Sequence, residues 1–136
     1  MIKLFPGIRE MLQEVKARGY KTAIASSRLR FTLNQGLDKY DLGKYFDTVV
    51  AVEDAENGKP APDIVLNTLE RLDSKPEASI MVGDSRLDIL CAHNAGVKAV
   101  LVGWSATLSG KTKEDFAQDE APDFIIDKPG DLLDII

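Results

Sequence analysis

Ile80-Met81-Val82-Gly83-Asp84-Ser85-Arg86-Leu87-Asp88 is the stretch whose reading decides the fold. A short apolar run from Ser79 to Val82, bounded by polar residues, reads as a buried strand. A glycine follows, and then two aspartates four residues apart at the start of a helix expected from about Ser85 to Asn94, with Gly96 as its stop. A strand that feeds directly into a helix is the repeating unit of parallel α/β architecture.

The same alternation continues in both directions. Downstream, Lys98 to Val102 and Phe124 to Ile126 read as strands, and Asp131 to Ile136 as a short terminal helix. Upstream, Pro62 stands at the first turn of a helix whose apolar stripe is Ile64, Val65, Leu69 and Leu72. Asp47 to Val52 and Thr22 to Ala25 read as strands, with a helix over Leu29 to Leu37 that Asn34 and Gly36 weaken. Pro6-Gly7 opens a first helix through Ile8, Met11, Leu12 and Val15, closed by Gly19. The long irregular stretch, Gly103 to Pro122, carries Lys111-Thr112-Lys113-Glu114-Asp115 and is expected to be a surface loop with a helical turn. This pattern predicts an α/β fold: a Rossmann-like, mostly parallel sheet with helices on both faces and right-handed crossovers, forming one domain over residues 1–136.

Composition narrows the class of function. At 136 residues and 44% hydrophobic, the chain can bury a core of ordinary size. A net charge of −5, with scattered lysines and arginines, argues against a nucleic-acid partner. No apolar stretch approaches the roughly 20 residues needed to span a bilayer, so no membrane partner is expected. The single cysteine cannot form an internal disulfide. A cytoplasmic location is expected.

Three polar segments follow expected strands: Ala23-Ile24-Ala25-Ser26-Ser27, Asn57-Gly58-Lys59-Pro60-Ala61-Pro62, and the opening stretch. Ligands of open α/β sheets bind beyond the carboxyl ends of the strands, where helix N-termini favour anions. Each segment also has a purely structural reading. Ser26 and Ser27 can bind a phosphate oxygen or cap a helix. Lys59, between glycine and proline, can hold a phosphate among carboxylates or be a solvated loop residue. Asp84 and Asp88 can reach one divalent cation, or complement a helix dipole; Gly83 favours the former by permitting close approach. Glu53, Asp54 and Glu56 read as a solvated rim. Cys91 and His93, two apart on a helix, cannot face each other, and Trp104 reads as packing near a pocket mouth.

In this order and spacing, with Ala95-Gly96-Val97 behind the carboxylate helix, the segments resemble the haloacid dehalogenase superfamily, most closely its phosphoglycolate-phosphatase and β-phosphoglucomutase-like branch. The likeness runs from Phe5-Pro6-Gly7-Ile8 to Ala121-Pro122-Asp123-Phe124-Ile125-Ile126. It implies a magnesium-dependent phosphatase acting on a small phosphorylated molecule through an aspartyl-phosphate. Ser26, with Ser27 beside it, would bind the phosphoryl group, Lys59 would steady nucleophile and phosphate, Asp84 would ligate magnesium and Asp88 would support it.

The resemblance also implies a first strand ending in Asp-x-Asp, which supplies the nucleophile, and a helical cap. No Asp-x-Asp occurs in this sequence, and the chain starts where a family member returns from its cap. In the family sheet that first strand lies between the equivalents of Thr22–Ala25 and Ser79–Val82. The expectation is therefore a phosphatase core that is inactive or incomplete alone, with its central strand position filled by Met1–Phe5, by a second copy in a homodimer, or by an N-terminal fragment. The alternatives are a non-catalytic phosphate-binding or regulatory module, or an unrelated receiver or flavodoxin-like domain. A receiver needs acidic residues near its start, where only Glu10 and Glu14 occur.

Overall fold

A computed structural model describes residues 7–102 and 121–136, and among them five short parallel strands occur with four α-helices. The order is α1 (Ile8–Ala17), β1 (Ala23–Ala25), α2 (Arg30–Tyr40), β2 (Thr48–Val50), α3 (Asp63–Leu72), β3 (Ile80–Gly83), α4 (Arg86–Asn94), β4 (Lys98–Val102) and β5 (Phe124–Ile126). Single 3₁₀ turns occur at Gly43–Tyr45, Val52–Asp54 and Pro76–Ala78, and a longer one at Pro129–Asp134. The short terminal helix expected over Asp131–Ile136 is this 3₁₀ turn, which starts and ends two residues earlier. Pro129 opens it, and Asp131 accepts from the amides of Asp127 and Lys128. Met1–Phe5, Trp104 and residues 103–120 of the expected loop lie outside the described residues.

Helix α1 packs against the Pro129–Asp134 turn, and α3 and α4 lie along the strands. β4 shows why both faces must be covered. Its Ala99 and Leu101 join a core built from Ile64, Val65 and Leu69 of α3 and Ile89, Cys91 and Ala92 of α4. Its Val100 and Val102 point the other way, to Val15 of α1, Ile126 and Leu132. Alternation with apolar residues on both sides makes a continuous hydrophobic run, as expected of a doubly covered strand.

The sheet is divided. β1 pairs with β2, and β4 lies between β3 and β5, all in parallel, but β1 and β3 are not paired with each other. The two parts still share one core, since Val50 of β2 packs in the same cluster as Ile89 and Leu101. Backbone direction shows which groups face the gap. The Asp47 amide donates to the Thr22 carbonyl and the Ser26 amide to the Val50 carbonyl, so alternation turns Ala23 and Ala25 away from β2. The Asp123 amide donates to the Ala99 carbonyl, which fixes Ala99 toward β5 and Val100 toward β3. Its register partner Val82, with Ile80, therefore turns away from β4. Val82 as a residue is also 41% exposed.

Candidate active site

The carboxyl ends of β1 and β3 open onto a cleft of about 450 Å³, lined among others by Ser26, Ser27, Lys59, Asp84 and Asp88. Residues from three separate segments thus meet in one place. Lys59 comes from the loop before α3 and reaches across. Its Nζ donates to the Ala25 carbonyl at 3.2 Å and to Asp88 Oδ1 at 2.5 Å. Both side chains are about 10% exposed, at 10% and 11%, so each charge depends on the other.

Asp88 is the most heavily committed group. Its Oδ2 accepts from the Asp84 amide at 3.1 Å and the Ser85 hydroxyl at 3.2 Å, while its own amide donates to Ser85 Oγ at 3.3 Å. Ser85 is the N-cap of α4, so Ser85 and Asp88 close a reciprocal cap three residues apart. Gly83 makes room for it: a Cβ there would lie 2.4 Å from Asp88 Cβ and 2.6 Å from Oδ2. The pair also spans the gap in the sheet. Lys59 satisfies Ala25, the last group on the β1 edge, and Asp88 satisfies Asp84, just past the β3 edge.

The β1–α2 turn is only partly open to an anion. The Arg28 amide donates to Ser26 Oγ at 3.1 Å, and the Arg30 amide donates to Glu53 at 2.9 Å. Glu53 and Asp54 are therefore more than a solvated rim. Asp54 accepts from the Ala51 amide at 2.9 Å, pairs with Arg30 and lies 3.7 Å from Arg71. The Ala51 amide first, then the two guanidinium groups, hold its carboxyl below the usual range. Ser27 is exposed at the cleft wall.

Cys91 and His93 take no part. Cys91 is fully buried, its Sγ 3.1 Å from the Ala61 carbonyl, and burial pushes its thiol up. His93 Nε2 lies 3.0 Å from Asp123 Oδ2. Two cleft residues escaped the sequence reading. Ser85 was findable from the Ser-x-x-Asp spacing. Arg28, which lines the cleft beside Ser27, carried no signal beyond adjacency.

Among the described residues no three His, Cys, Asp or Glu side chains gather as a metal site. The Asp84 carboxylate is exposed, lines the cleft and has no partner among them. One free carboxylate in this cleft fits magnesium, which takes one or two carboxylates and fills its shell with water and phosphate oxygens.

A sequence profile described as haloacid dehalogenase-like hydrolase matches residues 1–102. The chain belongs to that family. Over its whole length it is 39% identical to the pyrophosphatase PpaX of Bacillus mycoides (strain KBAB4), of which it covers 61%. Two solved haloacid dehalogenase-like structures superpose on nearly all of it. A HAD phosphatase from Thermococcus onnurineus does so with a TM-score of 0.81 at 28% identity, over 98% of this chain and 58% of that one. A protein assigned as a β-phosphoglucomutase from Thermotoga maritima gives 0.84 at 32%, over 96% and 58%. The chain thus spans 61% of the length of that curated relative. The family and the parallel α/β architecture expected from the sequence both hold.

Proposed function

We propose that this chain is the phosphate-holding part of a magnesium-assisted phosphatase, and that turnover depends on an aspartate pair its 136 residues do not contain. One observation carries this reading: Ser26, Ser27, Lys59 and Asp84, from three segments, line a single cleft where β1 and β3 lie unpaired. Ser26 and Ser27 offer hydroxyls to the phosphate oxygens. Lys59, held by Ala25 and Asp88, places fixed positive charge beside them. Asp84 would hold magnesium together with phosphate oxygens and water, and Asp88 would keep the Asp84 backbone in place. When bound, the ion would neutralise charge that develops on the transferring group. The substrate would be a small phosphorylated molecule; the name of the Bacillus mycoides relative points to a phosphoric anhydride such as pyrophosphate.

The nucleophile would arrive on an extended segment lying between β1 and β3, supplied by an N-terminal fragment; a second copy of the chain could fill the gap but carries no Asp-x-Asp. The test is to mix the chain with a peptide that carries an apolar strand ending in Asp-x-Asp. Magnesium-dependent release of phosphate from pyrophosphate or a phosphomonoester should appear only in the mixture. Peptide binding without release, in a folded complex, counts against the proposal. So does turnover by the chain alone.

A second reading, phosphate capture without turnover, is favoured by the state of Asp88, whose two oxygens are already taken by Lys59, Ser85 and Asp84. Calorimetry on the chain alone would then show phosphate binding that magnesium does not strengthen.

A further inference from the structure

Lys59 is held at both ends. Its ammonium donates to the Ala25 carbonyl and to Asp88. Its backbone sits in a tight turn, closed by the Ala61 amide donating to the Gly58 carbonyl at 3.0 Å, with Lys59 and Pro60 at the two central positions.

That turn is fastened to α4 at two points. The Pro60 carbonyl accepts from Asn94 Nδ2 at 2.9 Å, and the Ala61 carbonyl lies 3.1 Å from Cys91 Sγ. Asp88, Cys91 and Asn94 follow one another at intervals of three, so they form a single row along the helix. One row of α4 therefore holds three consecutive residues: Lys59 by its side chain, Pro60 and Ala61 by their carbonyls. The turn docks near the end of α4, and the lysine stem runs back to Asp88 on its first turn. Cys91 is fully buried, and its contact belongs to the packing of the core. Asn94 is different. It is the last residue of the helix, it is exposed, and its side-chain amide reaches the residue next to the lysine.

An ammonium has three N–H donors. Ala25 and Asp88 take two of them here, so the third points where the approach of the stem directs it. The stem is a flexible chain of four carbons. Its direction is set by where its base is fixed as well as by its two partners.

We propose that Asn94 is a positioning residue for Lys59. By holding the Pro60 carbonyl it fixes the turn from which the lysine stem rises, and it thereby aims the remaining ammonium N–H into the cleft. This rests on the reading of Lys59 as part of the phosphate site, and adds a residue at the far end of α4 on which that site depends. Asn94 touches no reacting atom and takes no part in bond cleavage.

Two readouts on the full chain test it: binding of inorganic phosphate by calorimetry, and the side-chain ¹⁵N–¹H NMR signal of the Lys59 ammonium, assigned by its loss in Lys59→Arg. An ammonium locked in hydrogen bonds exchanges its protons with water slowly enough to be seen. In Asn94→Ala, phosphate should bind about fivefold more weakly, the effect of one net hydrogen bond, and faster exchange should weaken the Lys59 signal. Asn94→Gln, which keeps an amide donor, should recover part of both. Asn67→Ala is the control for simple loosening. It removes a comparable bond, from Asn67 Nδ2 to the Asp54 carbonyl at 2.9 Å, and should lower the urea midpoint while leaving both readouts as in wild type. Unchanged phosphate binding and an unchanged Lys59 signal in Asn94→Ala overturn the proposal. So does weaker binding with an unchanged Lys59 signal, because Asn94 would then act by another route, and so does an equal effect from Asn67→Ala. Failure of the wild-type chain to bind phosphate would instead remove the phosphate site. The Lys59 signal would still decide the anchor, supporting it if lost in Asn94→Ala and overturning it if kept.

Discussion

At the scale of single residues, the cleft depends on one buried pair and the glycine that admits it. Lys59 and Asp88 are nearly out of water, and breaking such a pair from one side leaves an uncompensated charge inside the protein. Lys59→Met should therefore cost about 3 kcal/mol in urea unfolding. The double variant Lys59→Met with Asp88→Leu should regain part of that, though not the cap Asp88 provides to Ser85 and Asp84. Neither variant should bind phosphate. A single variant as stable as wild type would show that water reaches the pair freely. Gly83→Ala is the steric counterpart. The new methyl would sit 2.4 Å from Asp88 Cβ, so the carboxylate must leave Lys59 or the strand must shift. A loss of about 2 kcal/mol is expected, along with weakened phosphate binding; tolerance of alanine in both assays would contradict the close approach. These residues were legible from their types and spacing after strands. Their pairing was not, because nothing in a linear sequence says that Lys59 lies against Asp88 and not in solvent.

Among the elements, helix endings show what the sequence disclosed and what it hid. α1 and α4 close on Gly19 and Gly96 at φ 86° and 78°, with the following amide reaching back five residues, Tyr20 to Val15 and Val97 to Ala92. Those stops were readable as glycines. α2 and α3 close in the same way, Leu42 to Leu37 and Ser74 to Leu69, but their left-handed residues are Asp41 and Asp73, at φ 53° and 52°. Aspartate tolerates that conformation without announcing it. This is why α2 runs on to Tyr40, through Asn34 and Gly36, beyond the end expected at Leu37. A third aspartate joins elements instead of ending one. Asp123, just before β5, accepts from the Ala99 amide at 2.7 Å and meets His93 at the end of α4. Burial pushes its carboxyl up, but the Ala99 amide and His93 together outweigh that and leave it below the ordinary range. A carboxyl depressed in the folded state favours folding at pH values above its unfolded value of about 4 and loses that contribution as pH falls through the folded value. The urea midpoint of the wild-type chain should thus drop more steeply below about pH 4 than that of Asp123→Asn. The effect should be modest because the group is partly solvated. Parallel curves for the two proteins would mean that Asp123 does not couple β4, β5 and α4.

For the whole molecule, the open question is how a sheet with a seam holds together. α3 and α4 bridge it from one face through a shared core, and the Lys59–Asp88 pair closes its carboxyl end. Between those points the inward amides of β1 and β3 have no partner strand among the described residues. Unpaired strand edges are templates for further pairing, which is why the proposed function places an extended segment there. Amide hydrogen exchange can read this directly, because neighbouring residues of one strand point to opposite sides. In dilute solution Ile24 and Gly83, which face β2 and β4, should be protected, while Ala25 and Val82 should exchange on the order of a hundredfold faster. Adding the Asp-x-Asp peptide, or raising the chain concentration if a second copy is the partner, should slow Ala25 and Val82 to the rate of their neighbours. That protection should rise with ligand as mass action requires, along with the melting temperature. Equal protection of Ala25, Val82 and their neighbours in the dilute chain would mean that the chain closes the seam from within. No site would then remain for an added strand, and the aspartate pair could not reach Lys59 by that route.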